Sequence, residues 1–176
     1  ASYRWLLERG WSGEQIVVVG DSAGGGLAMA LTMYIRDHDM PIPGGIVAMS
    51  PWTDVTASGE SYTTNYESDP LFGKTKDSLI YVNDYAGEHD PMDCYISPLF
   101  GDFRQFPPML IQVGSIEMLL SDSVDAAAKA RHQGVRVRLS VYEGMFHVFQ
   151  MGYLNIPESK KAWYEVGKFF DAIDRE

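Results

Sequence analysis

A serine hydroxyl becomes a useful nucleophile at neutral pH only when a neighbouring base takes its proton, and histidine is the usual base. One serine of this sequence sits in a setting made for that role: Ser22, in Gly20-Asp21-Ser22-Ala23-Gly24. The β-branched run Ile16 to Val19 before it reads as a strand buried on both faces, and a helix follows at once. A strand that reverses into a helix so quickly holds the turning side chain above the strand end in a strained backbone conformation. Glycine two residues before and two after then lets strand and helix approach. Ser22 is that turning residue. Its hydroxyl lies at the positive end of a helix, and the backbone N–H of Ala23 points to where an attacked carbonyl oxygen would gain negative charge. A glycine-rich turn can instead bind phosphate, but the dinucleotide fingerprint wants glycine where Ser22 stands, and no Gly-Lys-Ser/Thr follows.

Four histidines could supply the base. His38 ends the nucleophile helix on the far side from Ser22, and His132 lies in a last helical turn before Gly134; both read as surface residues. His89, in Glu88-His89-Asp90-Pro91-Met92-Asp93-Cys94, fits no zinc-ligand spacing, and we expect neither metal nor cofactor. His147, in Glu143-Gly144-Met145-Phe146-His147-Val148-Phe149, directly follows a strand and therefore shares a sheet edge with Ser22. The imidazole needs a carboxylate at Nδ1 to fix its tautomer. Glu117 lies in a loop three residues past Gly114, whereas Asp122 already belongs to a helix start, where capping is its simpler role. Glu117 is the preferred acid.

These side chains need a frame that brings them together. Tyr3, Leu6 and Leu7 share a helical face that ends at Gly10, and Leu27, Ala30, Leu31, Tyr34 and Ile35 form a stripe that should turn the nucleophile helix toward a sheet. Gly45 to Ser50 reads as a second strand, stopped by Pro51. Residues 55 to 106 carry a weak pattern, a loop-and-helix crossover with a helix from about Lys76 to Tyr85. Met109 to Val113 makes a third strand, Ser121 can cap the next helix, and Val135 to Tyr142 alternates as a strand with one wetter face. Pro157 opens a last helix with a stripe of Ala162, Val166, Phe169, Phe170 and Ile173. Alternation of this kind implies an α/β fold, a parallel sheet covered on both sides, with the chemistry in loops beyond the strands' carboxyl ends.

With 176 residues, 45% of them apolar, the chain can bury one core, and we expect one domain over 1–176. A formal charge of −10 without a basic cluster argues against nucleic acid and anionic membrane surfaces, and a neutral small molecule fits better. The single cysteine, Cys94, gives no internal disulfide and fits a packing role in a cytoplasmic protein. No stretch approaches the length of a transmembrane span.

Four segments together look like the hormone-sensitive lipase family of carboxylesterases, in its bacterial branch. They are Gly20-Asp21-Ser22-Ala23-Gly24-Gly25, Ser50-Pro51-Trp52-Thr53-Asp54, Pro107 to Ser123 with Glu117 and Asp122, and Tyr142-Glu143-Gly144-Met145-x-His147-x-Phe149. The resemblance implies an α/β-hydrolase fold, with Ser22 as nucleophile, Glu117 in the acid position often held by Asp, and His147 as base, hydrolysing carboxylic esters through an acyl-enzyme. The expected substrates are short- to medium-chain esters, with contacts from Trp52, Met118, Met145, Phe146 and Phe149. A non-catalytic receptor and an amidase or peptidase using the same triad are the competing readings.

Family members also carry further strands, part of a cap and a His-Gly-Gly motif upstream of the nucleophile turn, and none of these is in this sequence. Ala23 is then left as the sole oxyanion donor, and losing one such donor costs about 3 kcal/mol. An apolar strand at 16–19 would also be a sticky edge if bare. The expectation is therefore a partial fold that is the C-terminal portion of a longer hydrolase, or one completed by a second polypeptide pairing with that strand.

Overall fold

A computed structural model describes residues 1–74, 84–153 and 155–173. Its centre is a four-stranded parallel sheet of β1 (Val17–Asp21), β2 (Gly45–Met49), β3 (Met109–Gly114) and β4 (Val137–Tyr142), in that spatial order. Around it run α1 (Ser2–Glu8), α2 (Ala23–Asp37), the short α3 (Ser61–Thr64), α4 (Leu120–His132) and α5 (Pro157–Ile173). Because all four strands point the same way, the residues after each of them collect at one rim.

The alternation of side chains across the pleat decides which helix covers which face. Ile46, Ala48, Met109 and Ile111 point to one side and pack with Ala28, Met29 and Met33 of α2 and with Ala126, Ala127 and Ala130 of α4. Val47, Met49 and Leu110 point to the other and meet Val166 and Phe169 of α5. β2 and β3 are buried along their whole length, which is why they read as unbroken apolar runs. Gln112 is the polar exception: its Nε2 donates to the Ala162 carbonyl and to Glu165 Oε2, both at 2.9 Å, so it fastens α5 to the sheet. Hydrogen bonds from Ser140, Gln112 and Tyr142, with Arg138 nearby, outweigh the burial of the Glu165 carboxyl and hold it below its ordinary value.

Several expectations need correction. Among the described residues β1 pairs with β2 alone and is an edge of the sheet, with Val19 48% exposed, so it is not buried on both faces. The stripe assigned to α2 is met only in part: Leu27 and Tyr34 are exposed, Ala30 and Ile35 are buried with Ile35 packed on Tyr3 and Ile16 beside Leu31, and the side toward the sheet carries Ala28, Met29 and Met33. The first turn of α2 is glycine because the backbone after β2 runs against it there. A Cβ on Gly25 would crowd Pro51, and one on Gly26 would overlap the Trp52 carbonyl. Ser121 is inside α4, whose N-cap is Leu119, and its Oγ accepts from the Ser61 N–H at 2.8 Å. On α5, Ala162 and Val166 are buried but Phe170 is exposed. The helix expected over about 76–85 falls on residues 75–83, outside those described, and Asp84 and Tyr85 are not helical.

Candidate active site

Ser22 follows β1 and precedes the first residue of α2 with φ 51° and ψ −123°, a conformation an L-residue adopts only under constraint. The constraint comes from both sides. The Ser22 N–H donates to the Met49 carbonyl and the Trp52 N–H to the Ser22 carbonyl, each at 2.9 Å, so the turn is clamped to the end of β2. Gly20 is required, because a Cβ there would overlap the Gly24 carbonyl. The other glycine of the pentapeptide behaves differently: a Cβ on Gly24 would meet nothing within 4 Å, and the close approach expected there is made by Gly25 and Gly26. Ala23 is an exposed residue and the first of α2, so its N–H has no intrahelical carbonyl to bond.

His147 lies beyond β4, three strands from β1, so the loop must carry its imidazole back over three spacings of about 4.8 Å. The crossing goes over the end of β3. Gly114 makes room, since a Cβ there would overlap the Met145 carbonyl. The Ile116 N–H donates to that carbonyl at 3.3 Å, and the Gly144 N–H donates to Ser115 Oγ at 2.8 Å. The imidazole ends with Nε2 2.9 Å from Ser22 Oγ and Nδ1 3.0 Å from Glu117 Oε2. A carboxylate only accepts, so the Nδ1 proton points at Glu117 and leaves Nε2 free to take the serine proton. The ring is buried, with Phe72 edge-on to it at 4.8 Å between centroids.

Glu117 is fully buried on the loop after β3. Its Oε1 accepts from the Gly114 N–H at 2.6 Å and from Ser50 Oγ at 2.8 Å, while Asn65 Nδ2 donates to its backbone carbonyl at 2.7 Å. Asp122, the other acid considered, does not reach the imidazole. Nor does it cap α4: it is buried, and its carboxylate accepts from the Thr53 and Asp54 N–H groups at 2.7 and 2.8 Å and from the Tyr62 hydroxyl at 2.8 Å. Burial pushes its carboxyl up to about 7, against the pull of those donors.

The five residues expected to touch substrate divide. Met118 and Phe149 are fully buried, Met118 beside Tyr62 and Leu119 and Phe149 against Tyr142 and Ala162, so both are core. Met145 and Phe146 are half-buried over the same Tyr142 cluster. Trp52 is half-buried, donates from Nε1 to the Asp54 carbonyl at 3.0 Å, and borders an apolar cavity of about 240 Å³ with Ala23, Leu27 and Tyr95. Of the other histidines, His38 stacks on Tyr34 at 3.8 Å, and His89 and His132 are exposed. The sequence assigned no site role to Ser50, Asn65 or Phe72; the available signals were at Ser50 alone, which opens the Ser50-Pro51-Trp52-Thr53-Asp54 segment and ends a strand at the shared rim.

The fold and this rim define a class. A family model described as the α/β-hydrolase fold matches residues 1–151, and the chain belongs to that family. The chain is 35% identical over 172 residues to an esterase of Acinetobacter venetianus, an alignment covering 98% of this chain and 57% of the relative. It is 37% identical to an acetyl-hydrolase of Streptomyces hygroscopicus, covering 96% and 56%. Among solved structures, an esterase of the bacterial hormone-sensitive lipase family superposes with a TM-score of 0.90 at 40% identity, covering 96% and 56%. Another, EstE5, superposes with a TM-score of 0.92 at 36% identity, covering 98% and 58%. The resemblance to the bacterial hormone-sensitive lipase branch therefore stands, and the chain spans a little over half the length of these relatives.

Proposed function

We propose that this chain carries the catalytic centre of a serine carboxylesterase acting on short- to medium-chain carboxylic esters. The observation that carries the reading is the hydrogen-bonded succession Ser22 Oγ, His147 Nε2, His147 Nδ1, Glu117 Oε2, with spacings of 2.9 and 3.0 Å. Ser22 Oγ attacks the ester carbonyl carbon as its proton passes to His147 Nε2, and the Ala23 N–H donates to the oxyanion that forms. Collapse of this intermediate breaks the bond to the alkoxide, which takes the proton from Nε2 and leaves an acyl group on Ser22. Water then attacks the acyl carbon, giving its proton to Nε2, and Ser22 leaves protonated with release of the carboxylic acid. Glu117 stays ionised and stabilises the imidazolium in both halves. The names of the relatives, esterase and acetyl-hydrolase, support the ester as substrate.

The reading treats residues 1–176 as one incomplete catalytic domain of a cytoplasmic protein. A further strand, from a longer form of this polypeptide or from a second chain, pairs with the open side of β1 and brings the remaining oxyanion donors. Its support is the exposure of Val19 and the share of the relatives that the chain spans. Among the described residues no helix is long and apolar enough to cross a membrane. Stopped-flow hydrolysis of p-nitrophenyl acetate and butyrate tests the proposal: a burst equal to the enzyme concentration is expected, and its absence at every chain length would contradict it.

A further inference from the structure

We propose that Ser50 is a positioning residue for the catalytic relay, acting through Glu117 and through the backbone of the histidine loop; the inference rests on the esterase reading. Ser50 is fully buried at the end of β2 and held at φ 47°, where an L-residue is strained. Its hydroxyl does two things at once. The proton goes to Glu117 Oε1 at 2.8 Å, and the oxygen accepts from the Val148 N–H at 3.1 Å. Val148 directly follows His147 and is itself left-handed, at φ 53° and ψ 37°. One hydroxyl thus ties the acid to the chain that carries the base.

The backbone on either side of Ser50 reaches the third member. The Met49 carbonyl accepts from the Ser22 N–H, and the Trp52 N–H donates to the Ser22 carbonyl, each at 2.9 Å. The Ser50 N–H itself donates to the Gln112 carbonyl at 2.6 Å, which locks the residue to β3. Ser22, Glu117 and His147 come from three different loops, and the segment Met49 to Trp52 is hydrogen-bonded to Ser22, to Glu117 and, next to His147, to the Val148 N–H. Glu117 could pivot about the Gly114 N–H if that were the only donor to Oε1. The Ser50 hydroxyl supplies a second direction and fixes the plane of the carboxylate, and with it the aim of Oε2 at Nδ1.

The test compares Ser50→Ala, Ser50→Gly and Thr32→Val in this chain. Two readings are taken: the kinetics of p-nitrophenyl ester hydrolysis, and the downfield proton resonance of the His147 Nδ1–H, which reports its bond to Glu117 whether or not an ester is turned over. Both Ser50 variants are expected to lower kcat about 10- to 100-fold with KM little changed, and to shift or broaden the resonance. Glycine accepts φ 47° without strain, so full activity in Ser50→Gly with a loss in Ser50→Ala would assign the effect to the backbone and overturn the proposal. Thr32, whose Oγ1 donates at 2.9 Å to the Ala28 carbonyl, is an equally buried hydroxyl remote from the rim, and its variant is expected to change neither reading. If the unaltered chain turns over no ester but shows a resonance that both Ser50 variants lose, the positioning role stands and the esterase reading fails. If the unaltered chain is active and both variants keep its kcat and resonance, Ser50 has no such role.

Discussion

Glutamate at 117 can be replaced by glutamine with almost no change of shape, which isolates its charge. Oε1 of a glutamine can still accept from the Gly114 N–H and the Ser50 hydroxyl, as Glu117 does. The amide nitrogen then faces His147 Nδ1 and must donate, so Nδ1 becomes the acceptor and the imidazole proton moves to Nε2, against Ser22. Glu117→Gln is therefore expected to lower kcat by about 10³- to 10⁴-fold with its fold intact, measured by ester hydrolysis and circular dichroism. Full activity would discard the assignment. Ser22, Glu117 and His147 were legible in the sequence because each is a reactive type placed just beyond a strand. Ser50 was not, since its hydroxyl matters only through partners 67 and 98 residues away. Met118 and Phe149 misled for a related reason: an apolar residue beside a reactive one packs inward or lines a site according to tertiary contacts that no local pattern encodes.

The loop after β2 and the start of α4 are joined by one buried carboxylate, and stability should respond to it. Asp122 receives the N–H groups of Thr53 and Asp54 and the hydroxyl of Tyr62. Asp122→Ala would leave the Thr53 and Asp54 N–H groups buried and unpaired, while the Tyr62 hydroxyl keeps the Asp54 carbonyl at 3.2 Å, at a cost of about 2–4 kcal/mol in urea unfolding. Asp122→Asn keeps an oxygen for the two amides and should be far milder. The pH response follows from the raised carboxyl: with a folded value of about 7 against an ordinary 3.8, the folded state binds the extra proton between these values. Stability from this group is present at about pH 4 and is lost as the pH rises toward 7. The wild type should gain on Asp122→Asn when the pH is lowered over that window, and an unchanged difference in urea midpoint would refute the assignment. At this scale β1, β2 and β3 were readable as apolar runs, β4 as an alternating strand, and the last helix as a stripe from which only Phe170 departs. The buried side of α2 was legible only at Ala30 and Ile35, because periodicity weighs large side chains while the first turn holds Gly25 and Gly26, which the close backbone after β2 requires.

Across the whole molecule, chain order and spatial order coincide: β1 to β4 lie side by side in sequence order, and their following loops deliver Ser22, Ser50, Glu117 and His147 to one rim. That arrangement follows from parallel strands alone, which is why the alternation of helix and strand was enough to anticipate where the site would form. What alternation could not give is the distance the last loop must cross, or the role of Gly114 in letting it cross. β1 stands at the edge of this sheet, so the reach from β4 spans its full width. The account therefore depends on an imidazole delivered from one edge activating a hydroxyl at the other. Labelling with a fluorophosphonate, followed by peptide mass spectrometry, measures that step directly. The adduct is expected on Ser22 alone, forming at least about 100-fold more slowly in His147→Ala. Labelling of Ser22 at the same rate with and without the imidazole, or modification of a different serine, would contradict the account.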